Sequence, residues 1–381
     1  MKKTGKFKNS IFVIFSILLY VVAGVVLAKF LIIPDGVNFF EYLFAFFITV
    51  YVSNFVQVIL HEAGHMVCGL ISGYRFLFFR IYSLMLVKHE GKLHLKKLGI
   101  AGTAGQCIML PPSNTPYEKV PFLLYNLGGV LANLIASAIF IILYFTVRLP
   151  LQFNVVFPCL AIMGIASAIL NGIPMPGSTV ANDGYNILSM IKNSHSRRAF
   201  FLQLEMNGML ALGKRVSEMP AEWFTLPDAD KMNDPLSTFV AAACVDRLMD
   251  EKRFDEALKA IEYISENSCG FSGLSKGMII CNRMYCEMMN GATRDVIDAM
   301  RTKEQLAIMK QMKNFPVVIR TEYVYSMLCK HDRAGAIEKM MHFDKIAKTY
   351  PYPADIACER ELMLLADEKY YETIGAANVK K

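Results

Sequence analysis

The run Asn54-Phe55-Val56-Gln57-Val58-Ile59-Leu60-His61-Glu62-Ala63-Gly64-His65-Met66-Val67-Cys68-Gly69-Leu70-Ile71-Ser72 decides how this chain is read. It is an apolar helix with an H-E-x-x-H inside it. Residues four apart on a helix project from one face, one turn apart, so His61 and His65 can reach a single Zn²⁺ while Glu62, next on the turn, can polarise a water. Chance would place such a pentapeptide in a chain this long roughly once in a hundred times. Ionisable groups inside a spanning helix are costly and mark function by default. The same face carries Asn54, Gln57, His61, His65, Cys68 and Ser72 at spacings of 3, 4, 4, 3 and 4. Such a polar stripe turns toward protein or trapped water. Interhelical packing is the plainer role for Asn54, Gln57 and Ser72.

Around this run lie 381 residues, 54% hydrophobic and 19% charged, with a formal net charge of +7. A soluble domain carries about 25% charge, so a plain cytosolic enzyme is excluded. Residues 1–194 hold 14 Lys+Arg and 6 Asp+Glu, whereas residues 195–381 hold 26 and 27. An apolar, membrane-bound half is thus joined near Ile191 to a soluble half long enough to bury its own core. The excess positive charge flanks apolar spans and signals topology; it does not argue for nucleic acid. Nine cysteines without paired spacing give no disulfide framework, and the six in the charged half point to a reducing compartment.

Four stretches are long enough to span, given about 20 residues for a ~30 Å core: 11–33, 42–72, 121–147 and 151–170. The first has a Lys-rich start and a small residue at Ala28, as a cleaved signal peptide would, yet it outlasts a usual signal core and reads as an anchor. The second is long enough that it must tilt or emerge from the bilayer. Lysines and arginines gather before the first span, between the second and third, and after the fourth. The positive-inside rule then places both termini and residues 74–119 in the cytoplasm of a cell-membrane protein. Between the second and third spans, Phe76 to Val87 is aromatic and β-branched, Glu90-Gly91 is a turn signal, and Lys92 to Lys96 alternates with period two, predicting a β-hairpin that dips into the membrane.

The expected architecture is an α-helical multipass membrane protein with about four transmembrane helices, a membrane-associated β-hairpin and an all-α cytoplasmic domain. Its parts are an N-terminal anchor helix and outer loop at 1–41, a membrane core at 42–194 and a cytoplasmic helical domain at 195–381.

Catalytic zinc takes three protein ligands and one open position. Candidates for the third are Glu90, His89, His94 and Asp183. Glu90, between Lys88 and Lys92, reads as a solvated turn residue. Asp183 is the only acid between Lys119 and Ile191. It follows the fourth span in Asn171-Gly172-Ile173-Pro174-Met175-Pro176-Gly177-Ser178-Thr179-Val180-Ala181-Asn182-Asp183-Gly184, where two prolines and three glycines break the helix and allow irregular backbone to bring a carboxylate toward the histidines.

With these motifs in hand, the chain resembles the site-2 protease family of intramembrane zinc metalloproteases. The resemblance rests on the HEAGH within a span, on Gly129-Val130-Leu131-Ala132-Asn133 as the family's G-x-x-x-N, and on Asn171-x-x-Pro174 followed by Asp183-Gly184 as its N-x-x-P…D-G. The apolar hairpin is similar to the family's re-entrant loop. Together these cover about residues 42–194. The chain departs from the pattern in a longer interval between Asn171 and Asp183 and in Val130, where proline is frequent. The resemblance implies zinc on His61, His65 and Asp183, Glu62 as catalytic base, and Asn133 and Asn171 near the substrate. It implies hydrolysis of a membrane-embedded or membrane-adjacent peptide near the cytoplasmic face. Competing classes are a membrane scaffold that keeps a metal site without cleaving, and a small-peptide transporter. An intact Glu62 beside intact histidines separates the enzyme from the scaffold.

From His195 onward the chain is mixed in charge and helix-favouring. Segments at Lys252–Leu258, Thr293–Ile297 and His331–Ile337 are weakly alike, and aligning Ala257, Val296 and Ala336 gives intervals of 39 and 40. That period suggests paired-helix repeats, with an irregular bundle as the alternative. Cys281 and Cys286 lack zinc-finger spacing and read as core, and nothing in this half suggests catalysis. Its expected role is to recruit a cytoplasmic protein partner or to gate the core; no nucleic acid is implied.

Overall fold

The computed structural model describes residues 4–379 apart from 34, 90, 101, 114, 176–180 and 269–272. The chain is mostly helical, with 14 α-helices and a small antiparallel sheet among the described residues. It divides into two compact units, residues 1–82 with 103–197, and residues 83–102 with 198–381.

The first unit contains α1 (Thr4–Ala28), α2 (Phe39–Ile71) and β1 (Arg75–Ile81). The next two strands, β2 (Leu84–His89) and β3 (Lys92–Lys97), belong to the second unit. The first unit resumes with β4 (Gly105–Leu110), α3 (Leu123–Thr146), α4 (Val156–Gly172) and α5 (Asp183–Lys192). Asn38 caps α2, its side chain accepting from the amides of Phe40 and Glu41, which satisfies donors the helix start leaves free. α2, α3 and α4 pack on one another, and α1 joins them through Leu27 against Val155 and Cys159.

The burial of α2 is inverted relative to a soluble helix. Ser53, Gln57, His61, Glu62 and His65 are buried, while Phe40, Phe44, Phe47 and Tyr51 on its other faces are exposed. α3 repeats this, burying Asn126, Asn133 and Ser137 and exposing Ile135, Ile142 and Phe145.

Two helical segments, Phe39–Ile71 and Tyr117–Thr146, are long and apolar enough to cross a membrane; Phe12–Ala28 and Val156–Gly172 are apolar but shorter. The segment expected to span to Ile33 leaves the helix at Ala28, where Lys29 and Phe30 make tight bonds back to Val26 and Leu27. The one expected from Leu151 opens with a short 3₁₀ turn and becomes α-helical only at Val156.

The expected hairpin is also corrected. Its first arm is not one strand: Tyr82 takes a left-handed φ of 51° and separates β1 from β2. β2 and β3 form the hairpin, in register from Leu84 opposite Lys97 to His89 opposite Lys92. They group with the second unit because Lys97 donates its amide to the Thr349 carbonyl at 3.0 Å and Ile100 packs on that unit's core. β1 pairs with β4, from Arg75 opposite Leu110 to Ile81 opposite Gly105, with an irregularity between Phe76 and Phe78. The boundary drawn at 42–194 therefore has to release residues 83–102.

The second unit's helices are the remainder of α6 (Ser194–Ala211), then α7 (Pro235–Asp250), α8 (Phe254–Asn267), α9 (Gly273–Met289), α10 (Arg294–Met300), α11 (Lys303–Gln311), α12 (Pro316–Val324), α13 (Arg333–Ala347) and α14 (Pro353–Val379). Cys281, Met284, Tyr285, Cys286, Phe343 and Leu362 are fully buried in their shared core, so both cysteines pack as expected. The period near 40 has a structural counterpart. Lys252, Gly291 and His331 all take positive φ, at intervals of 39 and 40, and each lies in the turn before a helix, α8, α10 or α13. α10 starts one residue later than the alignment implies, so Ile297 is buried and Val296 is exposed.

Candidate metal centre

The local geometry of α2 places both imidazoles on its buried face, and the fold brings a carboxylate to them. His61 Nε2 lies 3.1 Å from Asp183 Oδ2 and 3.1 Å from His65 Nε2, and His65 Nε2 lies 3.3 Å from Asp183 Oδ2. These three residues could hold a metal ion, and they are the sole such group of His, Cys, Asp or Glu among the described residues.

The other ring nitrogens fix what faces the centre. His65 Nδ1 is 2.8 Å from the Tyr125 carbonyl, which only accepts, so this nitrogen carries the proton. Asn133 donates its Nδ2 to the Gln57 carbonyl at 2.9 Å and to Gln57 Oε1 at 2.7 Å. Its Oδ1 therefore accepts from His61 Nδ1 at 2.7 Å. With a proton on each Nδ1, the two Nε2 atoms and a carboxylate oxygen face one point. A metal ion among them, or a proton held between an Nε2 and Asp183, offsets the repulsion of their lone pairs. Gln57 extends the support by donating Nε2 to the Leu160 carbonyl at 2.7 Å, so the chain from His61 through Asn133 and Gln57 links α2, α3 and α4. Such outer partners set tautomer and orientation in metal sites.

Glycines permit the approach of α3. A β-carbon on Gly64 would fall 2.2 Å from the Gly128 carbonyl oxygen, and one on Gly129 would fall 2.4 to 2.6 Å from three atoms of the His61 ring. No larger residue fits at either crossing without displacing backbone or ligand.

Asp183 is the first residue of α5, where a carboxylate also suits the helix dipole. Asn182 holds it there: its Nδ2 donates to the carbonyls of Leu170 at 2.7 Å and Ile173 at 2.6 Å, while its Oδ1 accepts from the amides of Met175 at 3.1 Å and Tyr185 at 2.9 Å. One amide thus ties the end of α4 to the start of α5. The Asp183 side chain stays 19% exposed against 9% for each histidine, leaving an opening on its side of the centre.

Glu62 is buried, 7% exposed, and among the described residues its carboxylate accepts no hydrogen bond. It abuts Gly105 at the start of β4, where a β-carbon would lie 2.4 Å from Glu62 Oε1. Arg80 secures that strand end by donating to the Gly105 carbonyl at 3.3 Å and to Thr103 Oγ1 at 2.6 Å. A buried carboxylate with unused acceptor capacity is suited to take a proton from water.

The structure thus brings together His61, His65 and Asp183, with Glu62 on the same face. Asn133, expected near substrate, is fully buried and uses its amide to position His61. Asn171 bonds the Ser167 carbonyl of its own helix at 3.0 Å. His89 and His94 lie on β2 and β3 of the other unit, and Glu90 falls outside the described residues, as do residues 176–180 of the 171–183 loop. Sequence reasoning missed the Tyr125 carbonyl, Gly105 and Asn182. Only Asn182 carried a readable signal, an asparagine immediately before a helix. No protein-family model, curated protein or solved structure matches this chain, so these residues themselves carry the functional reading.

Proposed function

We propose that the chain is an intramembrane zinc endopeptidase of the site-2 protease type, hydrolysing a peptide bond in a membrane-embedded or membrane-adjacent substrate near the cytoplasmic face. The observation that carries this reading is the convergence of three acceptor atoms, His61 Nε2, His65 Nε2 and Asp183 Oδ2, at 3.1 to 3.3 Å beside a free Glu62. Nitrogen and oxygen ligands around a tetrahedral zinc at ~2.0–2.1 Å stand about 3.3 Å apart, so the set fits that ion. A membrane setting is supported by the buried polar and exposed apolar faces of α2 and α3. In this reading α1 and α4 complete a four-span core whose termini face the cytoplasm, as the flanking lysines and arginines indicate.

Zinc, when bound, supplies a Lewis acid that acidifies water to a pKa of about 7 and polarises a carbonyl. His61 and His65 hold their lone pairs on the centre because Asn133 and Tyr125 occupy their other nitrogens. Glu62 accepts a proton from the attacking water and returns it to the leaving amine. β4 is paired on one side by β1, and its first residue abuts Glu62. An extended substrate adding to the side of β4 that pairs with no strand among the described residues would therefore enter beside the base, with its peptide groups hydrogen-bonded as they leave a helix.

The test is zinc content and cleavage by the purified protein. The parent should carry about one zinc per chain, and Glu62→Gln should keep the zinc and abolish cleavage. Asp183→Asn should lose metal. A zinc-free parent prepared without chelators would overturn the enzyme reading, and equal cleavage by Glu62→Gln would remove Glu62 as base.

A further inference from the structure

The second unit holds a half-open cavity of about 300 Å³, with Met249, Met278, Ile279 and Val317 among its walls. Four carboxylates also line it: Asp246, Asp250, Asp355 and Glu359. Two of them are neutralised by the chain. Asp250 accepts from Arg215 Nε at 3.0 Å, and Glu359 accepts from Arg320 Nε at 2.8 Å. Arg320 gives its Nε to Glu359 and its Nη2 to Asn282, with Nη1 left unpartnered among the described residues, and Arg215 is shared with Glu361. Neither of the other two, the exposed Asp246 and the half-buried Asp355, forms an ion pair among the described residues. Asp246 accepts only the Asn282 amide, at 3.1 Å, and Asp355 has neither hydrogen bond nor ion pair among the described residues.

A neutral group points to a ligand independently. Tyr350 is 7% exposed, lines the same cavity and leaves its hydroxyl without a hydrogen-bond partner among the described residues. Burial and then the nearby Asp355 push its pKa up. Burial, followed by the charges of Asp246, Glu359 and Asp250, lifts Asp355 to about 8, the behaviour of a site short of positive charge.

We propose that this cavity binds an organic cation, a primary ammonium or guanidinium on a short apolar stem. Asp246 and Asp355 bind the charged head, the Tyr350 hydroxyl adds a hydrogen bond, and the methionine and aliphatic walls take the methylenes. The volume is at the lower limit of ligand pockets, about 300–1,000 Å³, and suits one amino-acid-sized group. A bare divalent ion is disfavoured because no three of these carboxylates bring ligand atoms together as His61, His65 and Asp183 do. The same chemistry has two sources, a free amine or amino acid and a Lys or Arg side chain of another protein. The inference does not depend on the protease reading.

Titration calorimetry on the full-length protein in detergent tests it, with L-lysine, L-arginine and 1,4-diaminobutane as free cations and an end-blocked lysine peptide as the second source. Norleucine blocked at both ends, as the N-acetyl amide, supplies the stem without an ammonium, and Ca²⁺ the charge without the stem. Saturable binding by at least one organic cation, weakened roughly 10- to 100-fold by Asp355→Asn and by less in Tyr350→Phe, supports the proposal. Preference for the free cations or for the peptide then assigns the source. No binding by any organic cation, equal binding of norleucine, preference for Ca²⁺, or unchanged binding in an Asp246→Asn, Asp355→Asn double variant would overturn it. The aspartate substitutions remove like charges and Tyr350→Phe removes an unpaired hydroxyl, so a parental melting temperature or a higher one is expected of each variant.

Discussion

Replacing Gly129 with alanine would set a β-carbon 2.4 Å from Cε1, 2.5 Å from Nε2 and 2.6 Å from Nδ1 of His61. Non-bonded heavy atoms rest about 3.5–4.0 Å apart, so the ring or α3 must yield by about 1 Å. Neither moves freely. The ring is held at Nδ1 by Asn133 at 2.7 Å, and α3 meets α2 at the Gly64 and Gly128 backbones. Ligand distances tolerate only about ±0.2 Å, so a shift of that size breaks the His61 contribution. The expected result is a 10- to 100-fold loss of metal affinity with about 1–3 kcal/mol of overpacking cost. Competition for zinc against a chromophoric chelator reads the first, and denaturant melts read the second. Gly24→Ala, where an added β-carbon meets nothing within 4 Å, is the control. A folded Gly129→Ala protein with parental zinc affinity would refute the placement of His61 against α3 and the metal centre built on it.

Asn182→Ala removes four hydrogen bonds and a helix cap, and should cost about 2 kcal/mol or more together with zinc affinity, since Asp183 loses its anchor; dialysis against graded zinc checks this. Arg320→Met leaves Glu359 buried without its partner and should destabilise the second unit by about 3–5 kcal/mol in urea melts. Titrating stability against pH separates two carboxylates of that unit. Burial alone would raise Asp250, but the hydrogen bonds from Arg215 and Ser217 outweigh it and hold the pKa well below the usual range. Its contribution is present above the unfolded pKa of about 4 and is lost as the solution is acidified through the folded value. Asp355 acts with the opposite sign: its folded pKa of about 8 makes unfolding release a proton between about pH 4 and 8, so its contribution is full below that window and lost as pH rises through it. Asp355→Asn should therefore flatten the decline in stability between pH 5 and 8, and an unchanged slope would show that Asp355 ionises normally in the fold.

Some of this protein is written in local sequence. His61 and His65 share a face because an α-helix repeats every 3.6 residues, and the apolar composition around them sets the length of α2 and α3. The change of chemistry near Ile191 is likewise local, since charge density needs no contact to be read. The turn at Gly91 and the period near 40 follow from short-range backbone preferences such as the positive φ at Gly91, Lys252 and His331.

Contacts between distant parts of the chain were decided by the tertiary structure. Asp183 reaches His61 across 122 positions and Asn133 reaches it across 72, and no periodicity encodes which asparagine meets a metal ligand and which bonds its own helix. Asn133 and Asn171 look alike as motif residues, yet the first is drawn under His61 by the glycine crossing of α2 and α3, while the second only closes a turn of α4. Strand pairing is equally non-local: the break at Tyr82 sends β2 and β3 to the second unit and gives β1 a partner, β4, that the sequence did not announce. The sequence alone therefore determined which atoms could bind a metal and on which helix. The tertiary structure decided where those atoms converge and what holds them, because backbone close approach and buried hydrogen-bond partners exist only once the helices have packed.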